Sequence, residues 1–202
     1  MSQIALPLDW PAAEASDALI VTASNIAAVR RIEAFGTWPV AAMILTGPRK
    51  SGRSLFGRLF AARSGATLID EAETKSETAI FNAWNDAQGR RRPLLLVADA
   101  PPPTWRAKLP DLRSRLAATP VVSFEDPDEE LVGKLIAQLL ERRGIAATPE
   151  LIAYVSPRIE RSHLAIIDIV DRLDAASLSR RRAVTVQLAR DVLAVDGISA
   201  VG

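Results

Sequence analysis

Apolar positions fall into two regimes along this chain. Up to about Phe124, short unbroken apolar runs alternate with stretches of helical spacing, and beyond it only helical spacing remains. Val40 to Leu45, Leu94 to Val97 and Val121 to Phe124 read as strands covered on both faces. Ala66 to Ile69, ending in Asp70-Glu71, reads as a further short strand. A helix is expected after Ser24-Asn25, running through Ala28, Ile32 and Phe35 to a stop at Gly36. Others carry Leu55, Leu59 and Phe60, and Ile80, Phe81 and Trp84 before Gly89. Strands alternating with helices predict a parallel sheet with helices on both faces, so the fold class is α/β. In the second regime, Asp126 before Pro127 marks a helix start and Gly144 its close. Thr148-Pro149-Glu150 opens another helix, a longer one spans about Arg161 to Ser177, and Thr185 caps the last. Pro7 and Pro11 leave the first residues without helical period, as an extended arm. The expected organisation is therefore an arm over 1–17, an α/β domain over 18–125 and a small all-helical unit over 126–202.

Composition narrows the chemistry. In 202 residues, 25 Lys and Arg stand against 24 Asp and Glu, a net charge of +1, which argues against binding nucleic acid through bulk charge. The short basic runs Arg90-Arg91-Arg92 and Arg180-Arg181-Arg182 lie at turns without interleaved aromatics, and no direct nucleic-acid contact is expected from them. The absence of cysteine removes disulfides, thiolate zinc sites and a Cys nucleophile, and a single histidine makes a His-rich metal site improbable. Apolar runs fall short of the roughly 18 to 20 residues of a membrane helix, and the N-terminus has no basic leader. A cytoplasmic protein with no membrane partner is the expectation.

The segment between the first strand and its following helix is the most informative. Gly47-Pro48-Arg49-Lys50-Ser51-Gly52-Arg53-Ser54-Leu55 matches the phosphate-binding pattern GxxxxGK[ST], except that Arg53 stands where the pattern has Lys. Consecutive backbone amides at a helix N-terminus suit a phosphate, and Gly47 and Gly52 supply the dihedral freedom for the wrap. Arg53 keeps the charge but is planar and bulkier than an ammonium. Lys50 is a second source of an amine, and Ser54 keeps the hydroxyl that ligands Mg2+ in such loops. The plain alternative is a strand-to-helix turn that happens to contain two glycines. Leu68-Ile69-Asp70-Glu71 has the form of a strand end whose first carboxylate holds Mg2+ and whose second orients water, although four residues of this kind also describe a strand running into a turn.

Taken together, these features resemble the DnaA-related Hda proteins, AAA+ relatives of the bacterial replication initiator that lack its DNA-binding domain. Gln3-Ile4-Ala5-Leu6-Pro7-Leu8 resembles the family's N-terminal peptide for the DNA polymerase sliding clamp, with Gln3, Leu6, Pro7 and Leu8 as the contacts so implied. Leu109-Pro110-Asp111-Leu112-Arg113-Ser114-Arg115-Leu116 is the most specific match. The resemblance makes Arg115 an arginine finger toward nucleotide on a partner, with Arg113 competing. It implies a sensor 1 strand at Leu94 to Ala98, where Asp99 would repel phosphates, a sensor 2 arginine at Arg161, and adenine neighbours at Ile20 and Val21. His163 is expected to be a half-buried helical residue. One family strand is absent between the loop helix and Asp70, so an edge strand of the AAA+ sheet is expected to be missing; in an alternative alignment Ala66 to Asp70 is that strand and the acidic strand end is lost.

The function so implied is a regulator of replication initiation, tethered to the clamp and promoting ATP hydrolysis in the initiator DnaA. Its own degenerate site would hold ADP more readily than ATP, with Mg2+ as a companion ion, and a homo-oligomer is admitted. The alternatives are a self-acting ATPase using Asp70 and Glu71, or a nucleotide-free scaffold.

Overall fold

The computed structural model describes residues 19–194; the proposed clamp peptide, Gln3 to Leu8, lies outside them. Twelve elements carry the fold. They are α1 (Ala23–Glu33), β1 (Ala42–Thr46), α2 (Arg53–Ser64), β2 (Thr67–Ile69), α3 (Glu77–Arg90), β3 (Leu94–Val97), α4 (Pro110–Ala118), β4 (Val121–Ser123), α5 (Glu129–Glu141), α6 (Pro149–Val155), α7 (His163–Arg180) and α8 (Val186–Ala194).

The four strands form one parallel sheet in the order β2-β3-β1-β4. Side chains alternate across a strand, and here both faces are covered, which is why the central strands read as unbroken apolar runs. Met43, Leu45, Leu95 and Val97 pack with α1 and α2 through Ile32, Phe56 and Phe60. Ala42, Ile44, Leu94 and Leu96 pack with α3 and α4 through Ile80, Ala87, Leu112 and Leu116. The third core, centred on Ile136, Leu140, Leu151, Ile169, Leu173 and Ala189, lies wholly within α5 to α8.

Element ends differ from expectation where local hydrogen bonding decides them. Helix α1 starts earlier, because Thr22 is its cap and the Asn25 side chain accepts the Thr22 amide at 3.0 Å. It ends at Glu33, and Gly36 lies in a separate single turn, Phe35–Thr37. Helix α3 passes through Gly89 to Arg90 and closes on Arg91 in the left-handed region at φ 51°. Ser162, accepting from the Ala165 amide at 3.1 Å, starts α7 at His163 and leaves Arg161 on the preceding loop.

Asp128 rather than Asp126 caps α5, and it also joins the helical unit to the sheet domain. One carboxylate oxygen accepts from the Leu131 amide at 2.8 Å and the other from the Ser24 amide of α1 at 2.9 Å. The Ser24 carbonyl in turn accepts from the Glu125 amide at 3.0 Å. A single side chain therefore satisfies free amides of two helices in two units. Burial pushes the Asp128 carboxyl up, but the hydrogen bonds from Leu131, Thr22 and Ser24 outweigh it and hold it below the usual aspartate range.

Asp128→Ala should lower stability by about 1–2 kcal/mol, the cost of a lost cap. A carboxylate with a depressed pKa contributes above its unfolded value and loses that contribution as pH falls through the folded one. The deficit of the variant, measured by thermal unfolding, should therefore be full at pH 7 and shrink on acidification below about pH 4; an equal deficit at all pH values would contradict this role.

Candidate functional site

The site begins where β1 ends. Gly47 takes φ 143°, and a Cβ there would stand 2.7 Å from the Phe124 carbonyl oxygen, so the chain leaves the sheet at a point only glycine fits. Lys50 at φ 65° and Gly52 at φ 87° are left-handed and curl the loop round the N-terminus of α2. The Ser51 amide is engaged locally, to the Pro48 carbonyl at 3.2 Å. Such a curl is an anion-binding concavity, and the positive end of the α2 dipole adds to it. Ser51 Oγ is buried and has no partner among the described residues, leaving a donor for a bound oxygen.

Two pockets flank this loop, and Lys50 lines both. The larger, about 210 Å3, lies between the loop and the helical unit. Leu19, Ile20 and Asn25 form one wall, Leu131, Leu135 and Leu139 of α5 a second, and His163, Ile166 and Ile167 of α7 a third. Its apolar lining, interrupted by a few polar groups, suits a planar base. Asn25 shapes the first wall by donating to the Ile20 carbonyl at 2.9 Å. Val21, expected beside Ile20, packs into the sheet core instead, as the alternation of an extended segment dictates. His163 is more buried than expected, at 4% exposure, with Nδ1 unpartnered. Burial holds its imidazole below the usual histidine range, against an upward pull from Asp126.

The second pocket, about 150 Å3, is bounded by Arg49, Arg53, Ser54, Asp70, Glu71 and Asp99. Ser54 Oγ donates to Asp70 Oδ1 at 3.1 Å, joining the loop to the end of β2. Glu71 is left-handed at φ 52°, and its carboxylate is 76% exposed with Lys75 at 3.9 Å. Arg53 does not project into the phosphate curl. Its guanidinium donates to the Ala98 carbonyl and to Asp99 Oδ1, the latter at 2.5 Å, and the residue is only 8% exposed. The two departures from the motif thus meet: the arginine in place of the loop lysine is neutralised by the aspartate that follows β3.

The remaining site residues lie elsewhere. Arg115 stacks over the rings of Phe81 and Trp84, 4.2 and 4.9 Å from their centroids, with Nη1 buried and unpartnered. Arg113, two positions away on the short helix α4, is exposed. Arg161 is 66% exposed, pairs with Glu129 at 3.8 Å and does not line the base-sized cleft. It lies on the loop before α7, two residues short of His163 in that wall.

Comparison with known proteins places these features. A family model described as the Hda lid domain matches residues 128–193, which span α5 to α8. An uncharacterised protein of Haemophilus influenzae is 30% identical over 118 residues, covering 58% of this chain and 51% of that protein. The chromosomal replication initiator DnaA of Nautilia profundicola is 24% identical over 115 residues, covering 54% and 26%. The chain thus spans about half, or less, of the length of these curated relatives. In fold it is similar to domain III of the Thermotoga maritima replication initiation protein DnaA, with a TM-score of 0.70 at 15% identity over 94% of this chain and 98% of that one. No helix among the described residues is long and apolar enough to cross a membrane. The parallel α/β sheet is thus similar in fold to domain III of DnaA, and the four helices α5 to α8 match the model of the Hda lid domain.

Proposed function

We propose that this chain regulates replication initiation by acting on the nucleotide of DnaA rather than on its own. The observation that carries this reading is the arrangement of its arginines. Arg53, in the position of the loop lysine, is held by Ala98 and Asp99, whereas Arg113 and Arg115 lie on α4 and line neither pocket beside the loop.

In this reading the loop cradles a diphosphate with backbone amides, and the base lies between Ile20 and the α5 and α7 walls. The left-handed turns at Lys50 and Gly52 and the Ser51 Oγ, unpartnered among the described residues, support this. Arg53 has no free charge for a third phosphate, and Asp70, Glu71 and Asp99 stand around the space where one would lie. Like charge disfavours a γ-phosphate there, so ADP is held better than ATP. Ser54 and Asp70 would hold Mg2+, which would offset phosphate charge. Arg161 would join the nucleotide only by leaving Glu129, a small cost for an exposed pair. The helices α5 to α8 would form the lid over the nucleotide, and Gln3, Leu6, Pro7 and Leu8 would tether the whole to the sliding clamp.

Toward DnaA, Arg115 supplies the cation. Its stacking on Phe81 and Trp84 is worth about 0.5–1 kcal/mol per ring at a partly exposed site, little against the stabilisation a finger gives to developing γ-phosphate charge. With clamp loaded on DNA and ATP-bound DnaA, wild-type protein should accelerate phosphate release. Arg115→Ala should reduce that acceleration at least about tenfold, and Arg113→Ala less than about threefold. Full stimulation by both variants would remove the proposed action in trans.

A second reading, a self-acting ATPase, is favoured by the 3.1 Å contact of Ser54 with Asp70. It requires Mg2+-dependent phosphate release by the isolated protein that Glu71→Gln abolishes. The expected result is release at background in both proteins; turnover lost specifically in the variant would establish the second reading.

A further inference from the structure

From the end of β2 to the first residue of α3, the carboxylates of Asp70, Glu73 and Glu77 reach three different parts of the fold. Asp70 accepts from Ser54 at the start of α2. Glu73 Oε1 accepts from the Asp99 amide at 2.7 Å, just past β3 and beside the Arg53 pair. Glu77, the first residue of α3, accepts from the Lys108 amide at 2.7 Å and, with its other oxygen, from the Leu109 amide at 2.8 Å. Ala72, fully buried at the middle of this segment, fixes its path against the sheet.

The last of these contacts lies at the start of the arginine helix. Helix α4 has Leu109 as its cap residue, which has no side-chain oxygen to offer, and Pro110 as its first residue, which has no amide. The chain leading into it, Ala100 to Lys108, is rich in proline and passes through a left-handed Arg106 at φ 53°. Such a connection does not by itself fix where a nine-residue helix begins. A carboxylate gripping two successive amides does so, with two charge-assisted hydrogen bonds of defined direction. These bonds also hold the Glu77 carboxyl below the usual glutamate range, so it stays ionised at neutral pH.

We propose that Glu77 is the positioning residue of α4, setting from α3 where the helix starts and therefore where Arg113 and Arg115 are presented. Its consequence for hydrolysis rests on the reading of α4 given above. The contact itself does not. Glu77 touches no nucleotide and acts only through the placement of α4. The same acidic segment links that placement to the loop, because Asp70 and Glu73 engage Ser54 and the amide of the aspartate paired with Arg53.

Glu77→Gln is the informative variant, since it keeps the size but turns an NH2 group toward one of the two amides. Asp86→Asn, which removes only an exposed pair with Arg90 on the same helix, is the control. Amide exchange followed by NMR on the full chain should be faster at Lys108 and Leu109 in Glu77→Gln by at least about fivefold, with β1 and β3 unchanged and the control like wild type. In the clamp-dependent assay, maximal stimulation should fall several-fold while the half-saturating concentration stays constant, the pattern of an interaction that matters only in the transition state. Unchanged exchange at Lys108 and Leu109 would overturn the inference, as would full maximal stimulation by a variant whose exchange has risen. If wild type fails to stimulate at all, the regulatory reading falls, and exchange at Lys108 and Leu109 alone decides whether Glu77 sets the start of α4.

Discussion

The direction taken by one guanidinium organises this site. A lysine in the place of Arg53 would extend its ammonium along the loop toward bound phosphate. A guanidinium, with five donors in a planar fork, instead finds a carbonyl and a carboxylate at the end of β3 and is satisfied there. The Arg53 side chain is nearly buried and the Asp99 side chain is 58% exposed, so the pair is anchored on one side and hydrated on the other. Breaking it would leave Arg53 a buried cation without its counter-charge, which is costly. In the proposed reading the loop serves as an anion cradle through its amides, while its side-chain charge is directed elsewhere.

The architecture follows from that geometry. The loop lies at the carboxyl ends of parallel strands, where open α/β sheets bind their ligands, and the helical unit closes over it. The two units are linked at Asp128, whose two oxygens serve α1 and α5 at once. The cleft wall is supplied by Leu131, Leu135 and Ile166, so the residues that would meet a base belong to the same helices that form the lid's own core. The edge strand β2 delivers Asp70 to Ser54, and the segment after it continues to the start of α4. Loop, acidic strand end and arginine helix are in this way parts of one connected frame.

Much of the fold was legible in the residues. Unbroken runs such as Leu94 to Val97 predict a doubly covered parallel strand because both faces are apolar, and Gly47 and Gly52 mark a loop that needs unusual dihedrals. The change from alternating elements to helices only, near Phe124, is where the match to the Hda lid begins. Helix ends were less legible: Thr22 and Ser162 win as caps over neighbouring candidates because their hydrogen-bond geometry closes, which spacing alone does not reveal. The sequence marks the loop and singles out Ser54 and Asp70 separately, and their 3.1 Å contact is visible only in the fold. The Arg53 and Asp99 pairing spans 46 positions, and neither residue hints at the other without the sheet between them. The sequence reads His163 as a half-buried helical residue and Asn25 as a helix start, and their place in the cleft is hidden for the same reason, since a wall assembled from three segments leaves no local signature. The lysine-to-arginine departure at position 53 was the one signal that could have prompted a search for a partner acid after β3.

Calorimetric titration of the purified chain with ADP and with ATP, each with and without Mg2+, tests this picture at its centre. An amide cradle whose arginine is already neutralised should bind ADP in the absence of Mg2+ and should gain no affinity from a third phosphate. ATP bound more tightly than ADP by tenfold or more, with Arg53→Ala abolishing that preference, would show the guanidinium serving the phosphates after all and would contradict the account.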